Sequence, residues 1–136
     1  MLFRSEAAQR GYSVGGTAAT HYAAAITASI LYWDGTEAEA ITYLAKPGVV
    51  YSVANWKQSI GVQKWIALYN RPVTGWLEVR RLDFPVLLPP ANPDSGFPNR
   101  FPYPANEQTL NPENYTSAAE AIGKDLVETK IFWDKF

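Results

Sequence analysis

The sequence predicts a mainly α-helical fold that leads into a long, ordered, proline-rich loop and then a terminal helix. Three observations carry that expectation. Residues 1–45 hold eleven alanines and no proline, whereas residues 85–112 hold eight of the ten prolines. Before position 83, apolar residues recur at the three- and four-residue spacing of a helix face. No segment alternates apolar and polar residues over the length of a strand. The expected division is helical over 1–83, a Pro- and aromatic-rich loop over 84–111, and a helix with its tail over 112–136, all in one piece.

The elements follow in order. Leu2 to Arg10 suits a short helix stopped by Gly11, a good residue for a left-handed cap. It opens without an N-cap and so reads as the continuation of something longer. Gly15-Gly16-Thr17 breaks the chain and caps a second helix from Ala18. On that helix Tyr22, Ile26, Ser29/Ile30 and Trp33 share one face, and Ala19, Ala23 and Ala24 leave another face narrow enough for a close helix neighbour. Asp34-Gly35 ends it. Thr36 with Glu39 forms a capping-box pattern that opens a third helix, which runs to Lys46 and stops at Pro47. Residues 53–69 make a fourth, with Trp56, Ile60, Ile66 and Tyr69 inward and Lys57, Gln63 and Lys64 wet. A fifth fits Val73 to Asp83, between two prolines. The last starts with Asn111 as cap and Pro112 at the first helical position, where a missing N–H is harmless, and closes at Gly123. The tail Thr129–Trp133 is apolar enough to pack down.

The loop 84–111 is longer than a structureless connection in a compact domain usually is. Disordered segments are poor in aromatics, yet this one carries Phe84, Phe97, Phe101 and Tyr103. It is expected to be ordered, largely polyproline II, and laid against helices.

At 136 residues the chain is long enough for a real core. Twelve basic against thirteen acidic side chains give a net charge of −1. That balance argues against nucleic acid as a partner, which calls for a basic stripe. No apolar run approaches a transmembrane helix. The start, Met1 to Glu6, has neither the basic region nor the long apolar region of a secretion signal. Cysteine is absent, which removes disulfides, thiolate chemistry and Cys-based zinc sites.

Candidate chemistry is thin. His21 is the single histidine, a poor metal ligand without a second His or a Cys and better read as a packed or surface residue. Gly15-Gly16 follows no strand and has no neighbouring Lys, so it is a turn and cap rather than a phosphate loop. There is no Gly-x-Ser-x-Gly elbow. Glu78, Asp83 and Glu107 are the acids available for glycoside hydrolysis. Arg80, Arg81 and Arg100 lie close to them in sequence, which favours structural ion pairs over the raised pKa of a general acid. Asn114-Tyr115-Thr116 matches a glycosylation sequon, meaningful only in a eukaryotic secretory protein. No catalytic, metal or cofactor residue is assigned, and no cofactor is expected. Aromatics are the enriched chemistry, at 14% with five Trp and eight Tyr. Their π faces stack on the weakly positive C–H faces of sugar rings, although most such residues serve the core.

From residue 63 on, the sequence becomes specific. Gln63-Lys64-Trp65-Ile66-Ala67-Leu68 is followed by Trp76-Leu77-Glu78-Val79-Arg80-Arg81 and Pro85. Arg100-Phe101-Pro102-Tyr103-Pro104-Ala105-Asn106-Glu107 comes next, then Asn111, Gly123-Lys124-Asp125 and Thr129–Asp134. These blocks resemble the C-terminal part of the SusD/RagB family of outer-membrane nutrient-binding lipoproteins of Bacteroidetes. The opening Arg4-Ser5-Glu6-Ala7-Ala8 with Gly11 resembles a helix of the same family, with Ser5 where Ala is usual. The resemblance implies a larger, mostly helical fold with tetratricopeptide-like helix pairs, of which this chain is a C-terminal portion cut at its start. No 34-residue repeat is visible in it. It further implies a surface protein, lipid-anchored through an N-terminal Cys not in this chain, that is not an enzyme. Its partners are oligosaccharide or another nutrient and a SusC-like TonB-dependent β-barrel transporter. The blocks themselves look structural. Arg80 or Arg81 is expected to pair with Glu78, and Arg100 to bond Glu107 or nearby backbone carbonyls and so pin the turn around Tyr103. No ligand-binding residue follows from the resemblance.

Two other readings compete: a glycosidase using the acids above, and an assembly scaffold without a ligand. If the chain is a portion of a larger protein, its first helices leave an apolar patch around Leu2, Phe3, Ala23 and Ala24 larger than the ~300–600 Å² of an ordinary monomer.

Overall fold

A computed structural model describes residues 2–88 and 90–134; Met1, Pro89 and the last two residues lie outside the described residues. Seven helices and no strand form among them. They are α1 (Leu2–Gln9), α2 (Ala18–Tyr32), α3 (Glu37–Leu44), α4 (Trp56–Ala67), α5 (Pro72–Leu82), α6 (Glu107–Leu110) and α7 (Pro112–Ala121). The chain resolves into two compact units, one ending at Val86 and the other beginning at Leu87.

In the first unit the caps read from the sequence form. Thr17 caps α2 by accepting from the Thr20 amide at 3.1 Å, while the Thr20 hydroxyl accepts from the Thr17 amide at 3.0 Å. Thr36 and Glu39 exchange the same two bonds at the start of α3. The backbone bond from Thr36 is the main reason the exposed Glu39 carboxyl lies below the ordinary carboxylate value. After α2 the chain turns so tightly that a Cβ on Gly35 would stand 2.5 Å from the Ile30 side chain, so only glycine fits. Helix α4 begins at Trp56 rather than at 53. The Ser52 and Ser59 hydroxyls hold residues 52–55 in a turn by accepting from the Asn55 and Ser52 amides.

The core gathers Tyr22 and Ile26 from α2, Ile60 from α4, Leu82 from α5 and Val49 from the α3–α4 connection. Each such aliphatic burial contributes roughly 1.5–3 kcal/mol. Tyr22 is buried with its hydroxyl donating to the Val49 carbonyl at 2.7 Å. Burial pushes its pKa up to about 12, with smaller help from Tyr43 and Tyr51. Gly61 lets the backbone at Phe84 press on α4, since a Cβ there would lie 2.8 Å from the Phe84 carbonyl oxygen.

Two expectations about faces are corrected here. Gln63 and Lys64, read as wet, are buried, whereas Ile66 and Tyr69, read as inward, are exposed. The cause is partnering: Gln63 bonds the Tyr43 hydroxyl at 3.2 Å and Lys64 bonds Glu78 at 2.8 Å. Trp33, placed on the inner face of α2, is 52% exposed.

The second unit is organised by its tail. The amides of Asn99 and Arg100 donate to the Val127 carbonyl at 2.7 and 3.2 Å. The Asn99 side chain reaches the Glu128 carbonyl, and the Gly96 amide reaches the Glu128 carboxylate at 2.7 Å. Tyr103 meets Tyr115 of α7 edge-on at 6.2 Å. The loop therefore leans on the tail more than on helices, and Phe101 stays 80% exposed. It also contains α6, a short helix that the prolines concealed. Asn111 does not cap α7 with its side chain, which instead accepts from Asn114 and donates to Glu107.

Candidate functional site

Two side-chain clusters stand out, both within the first unit. The first is a buried charge cluster made by α1, α4 and α5. Glu6 and Glu78 are 5% and 7% exposed and Lys64 is 4% exposed. Lys64 bonds Glu78 at 2.8 Å and lies 3.9 Å from Glu6. Arg81 bridges the two acids, bidentate on Glu6 and 2.6 Å from Glu78, and Arg10 adds a bond to Glu6. Burial acts to raise the Glu6 pKa, but the bonds and charges of Arg81, Arg10 and Lys64 outweigh it and hold the carboxyl below its ordinary value. Burial pulls Lys64 the other way for a cation, downward, against the opposing bond from Glu78. The Phe3 ring covers the cluster, with the Lys64 ammonium 3.3 Å from its centroid. Ser5, replacing the Ala usual in the resembled helix, is fully buried and donates to the Ala18 carbonyl at 2.7 Å, tying α1 to α2. These bonds pair each charge with an opposite one, so the cluster ties three helices together.

The acids considered for hydrolysis are placed apart in role. Glu78 is consumed by Lys64 and Arg81. Asp83 sits in the left-handed conformation that ends α5, near Lys57 at 3.6 Å. Glu107 lies in the second unit, where it accepts from Asn111. The expected Arg81–Glu78 pair is present, and Arg80 packs its guanidinium over Trp76 at 3.8 Å. The expected Arg100–Glu107 pin is not formed. Arg100 pairs with Asp125, which also accepts from the Tyr103 amide at 3.1 Å. Burial would raise the Asp125 pKa, yet the Arg100 and Tyr103 bonds leave it below the ordinary value. A carboxylate from the tail closes that turn because it can accept from side chain and backbone at once. His21 is half-buried beside Gly16, its Nε2 without a hydrogen-bond partner. No group of three potential metal ligands occurs among the described residues. No described helix is long and apolar enough to cross a membrane.

The second cluster is aromatic. Trp33, Trp65, Leu68, Tyr69 and Pro72 line an open cleft of about 750 Å³ between the end of α2 and the α4–α5 turn, within the usual size range of small-molecule sites. Tyr32 and Tyr69 are each 76% exposed. Trp33 meets Tyr32 edge-on at 5.3 Å and Tyr69 at 5.9 Å with a 59° tilt. Sequence periodicity assigned Trp33 and Tyr69 to the core. The signal that pointed elsewhere was their position at helix ends, next to Asp34-Gly35 and Asn70-Arg71-Pro72, where a side chain leaves the buried stripe.

Fold and cleft together define an all-helical module with paired internal charges and an exposed aromatic surface. It belongs to the SusD-like family: the family model described as "starch-binding associating with outer membrane" matches residues 1–104. Among solved structures, the chain is similar to a SusD-like protein of Bacteroidetes AC2a, with 28% identity, a TM-score of 0.85 and 99% of this chain covered. A chitin-binding protein is 31% identical over 99% of the chain, with a TM-score of 0.79. A chitin-binding SusD homologue from Flavobacterium johnsoniae is 25% identical over 98%, with a TM-score of 0.78. The chain spans 29%, 32% and 34% of those three proteins. No curated protein matches it in sequence.

Proposed function

We propose that this chain is part of a non-catalytic protein that captures oligosaccharide at the outer membrane and delivers it to a SusC-like TonB-dependent transporter. In this reading the longer protein is held at the cell surface by an N-terminal lipid. Family membership carries the proposal, and the two chitin-binding relatives support a glycan as the nutrient. The arrangement of the acids agrees with it. Glycoside hydrolysis needs one carboxyl kept protonated and a second close by. Here Glu78 is clamped by two cations, Asp83 terminates a helix, and Glu107 is engaged in its own turn.

The test is calorimetric titration of the longer protein with chitin- and starch-derived oligosaccharides, with assay of released reducing ends; this chain alone, titrated beside it, is expected to bind more weakly because a site shared with the rest of the protein would be only half present. Saturable binding without turnover is expected. Turnover lost on Glu78→Gln or Glu107→Gln would replace capture by hydrolysis. Absence of binding to every glycan would leave a scaffold role. Recovery of a β-barrel transporter with the tagged longer protein from outer membranes tests the delivery step.

A further inference from the structure

Helix α1 lies between α2 and α4 and runs antiparallel to both. Just past its end, Arg10 rests 5.0 Å from the ring of Trp56, where α4 begins. Near its start, Phe3 lies against the ammonium of Lys64, about two turns further along α4. On the other flank Ser5 bonds the carbonyl of Ala18, the first residue of α2, whereas Leu2 lines a depression with Ala25 and Ser29. In front of Leu2 and Phe3 the space between α2 and α4 opens into a groove of about 410 Å³. Its walls are Ala28, Tyr32 and Trp33 on α2 and Ala67, Leu68 and Arg71 at the end of α4. All of these residues belong to the first unit.

The groove continues the axis of α1. From Ala25 to Trp33, α2 rises about 12 Å, a little over two helical turns. A helix prolonged backward from Leu2 would travel that distance beside it. The wall suits such a neighbour. Ala25, Ala28 and Ser29 are small and recur at the three- and four-residue spacing of one helix face, which lets another backbone approach closely. Ala25 is buried while Ala28 is exposed, so the covered part of this stripe stops where α1 starts. Tyr32, 76% exposed, and Trp33 offer rings to an apolar side chain at the far end. The first four amides of a helix have no partner within it. Those of α1 open toward the groove, and a preceding helical turn would supply their carbonyls, which a dissolved apolar molecule could not. A second copy presents the same groove, and two concave surfaces do not fill each other.

We propose that α1 is the closing part of a longer helix, and that about two turns of it, supplied by residues preceding Met1 in the longer protein, fill the groove between α2 and α4. The assignment rests on the reading above that this chain is part of a longer protein. The related solved structures support an occupant from the same polypeptide: the chain spans 29%, 32% and 34% of three of them, so most of each lies outside the matched stretch. The groove is thereby an internal helix interface, with Tyr32 and Trp33 as its anchors and Ala28 beneath the incoming backbone.

The experiment is done on the longer protein, with this chain beside it. With Tyr32 replaced by the photo-cross-linker benzoylphenylalanine, irradiation should join position 32 to the residues just before Met1, as read by peptide mass mapping. Ala28→Cys gives an independent reading, because the chain has no cysteine of its own. Its thiol should react with a maleimide about ten times more slowly, or slower still, in the longer protein than in this chain, where Ala28 is exposed. Ala28→Trp should lower the melting temperature of the longer protein through overpacking and leave that of this chain close to its parent's. Equal thiol rates in the two, with Ala28→Trp harmless to both, would show the groove open in the longer protein and overturn the proposal. A slowed thiol with the cross-link on a distant segment or on a second copy would overturn it by naming another occupant. A native protein with no residue before Met1 would end it outright. The capture reading is judged separately, since glycan titration of the longer protein succeeds or fails whatever position 32 joins.

Discussion

The two units of this chain are held by different means. In the first, five helices surround a core of Tyr22, Ile26, Val49, Ile60 and Leu82, and a buried charge cluster ties α1, α4 and α5. In the second, a proline-rich segment with a short helix and α7 is organised around Asp125 and the backbone of Val127 and Glu128. Neither α6 nor α7 buries a single residue below the level of the core. Hydrophobic burial grows with the number of faces an element can cover, whereas a proline-rich segment has few N–H groups and relies on a handful of bonds. The first unit should resist local opening, and the second should open in one step when its bonds at Asp125 go.

Substitutions sharpen that contrast. The largest effect is expected from Arg81→Met, which leaves Glu6 and Glu78 buried with Lys64 as their remaining close cation apart from Arg10. A loss of about 3–5 kcal/mol is expected by denaturant unfolding. A loss below about 1 kcal/mol would mean that the cluster is hydrated and that the apolar core alone holds the unit.

Next comes Ile60→Ala, at a side chain with no exposure, expected to lose about 2–4 kcal/mol. Gly61→Ala is its counterpart in the opposite sense. It adds a methyl 2.8 Å from the Phe84 backbone and should lose about 1–3 kcal/mol through overpacking. An unchanged melting temperature for Gly61→Ala would show that the Phe84 segment yields freely.

Asp125→Asn should act on the second unit by itself. It removes the charge facing Arg100 while keeping the shape, and about 1 kcal/mol of local stability should go. Hydrogen exchange reads it directly: the amides of Asn99, Arg100 and Tyr103 should lose protection while those of α2 and α4 keep theirs. Equal loss in both would mean that the two units unfold together.

The smallest effect is that of acid, and its sign is fixed by the lowered carboxyls, of which Glu6 and Asp125 are ion-paired. Glu6 has a folded pKa below 4.5, so its contribution is complete above 4.5 and is lost as pH falls below that value. Asp125 behaves alike below 3.8. Acid titration should therefore weaken the first unit's charge cluster from a higher pH than the second unit's turn. The measurement is unfolding free energy against pH for the parent and for Glu6→Gln, which should flatten the first part of the curve. A parent curve that rises toward acid would contradict both assignments.

Much of the helical skeleton was legible in the sequence, because caps and breakers act within a few residues. Thr17, Thr36 with Glu39, Pro72, Pro112 and Gly123 stand where the helices start or stop. The family resemblance was likewise carried by local blocks. Burial of charge was not legible. Periodicity sorts a helix by apolarity, and it sent Lys64 to solvent and Tyr69 to the core. What drew Lys64 and its neighbour Gln63 inward lies on other helices: Glu78 on α5 and Glu6 on α1 for the lysine, Tyr43 on α3 for the glutamine. The aromatic cleft was hidden for the same reason, since a tryptophan at a helix end looks like a core residue until its neighbours are placed. In the loop, the sequence offered Glu107 as the partner of Arg100 because it was near along the chain. The folded chain chose Asp125, which is distant in sequence but brings an acceptor to both the guanidinium and the Tyr103 amide. Sequence by itself determined most helix ends, though neither the start of α4 nor the presence of α6, for those ends are short-range competitions among backbone hydrogen-bonding groups. Tertiary structure alone decided which charges are buried, which aromatics stay open and which carboxylate closes the loop, because a side chain's surroundings are set by residues far away in the chain.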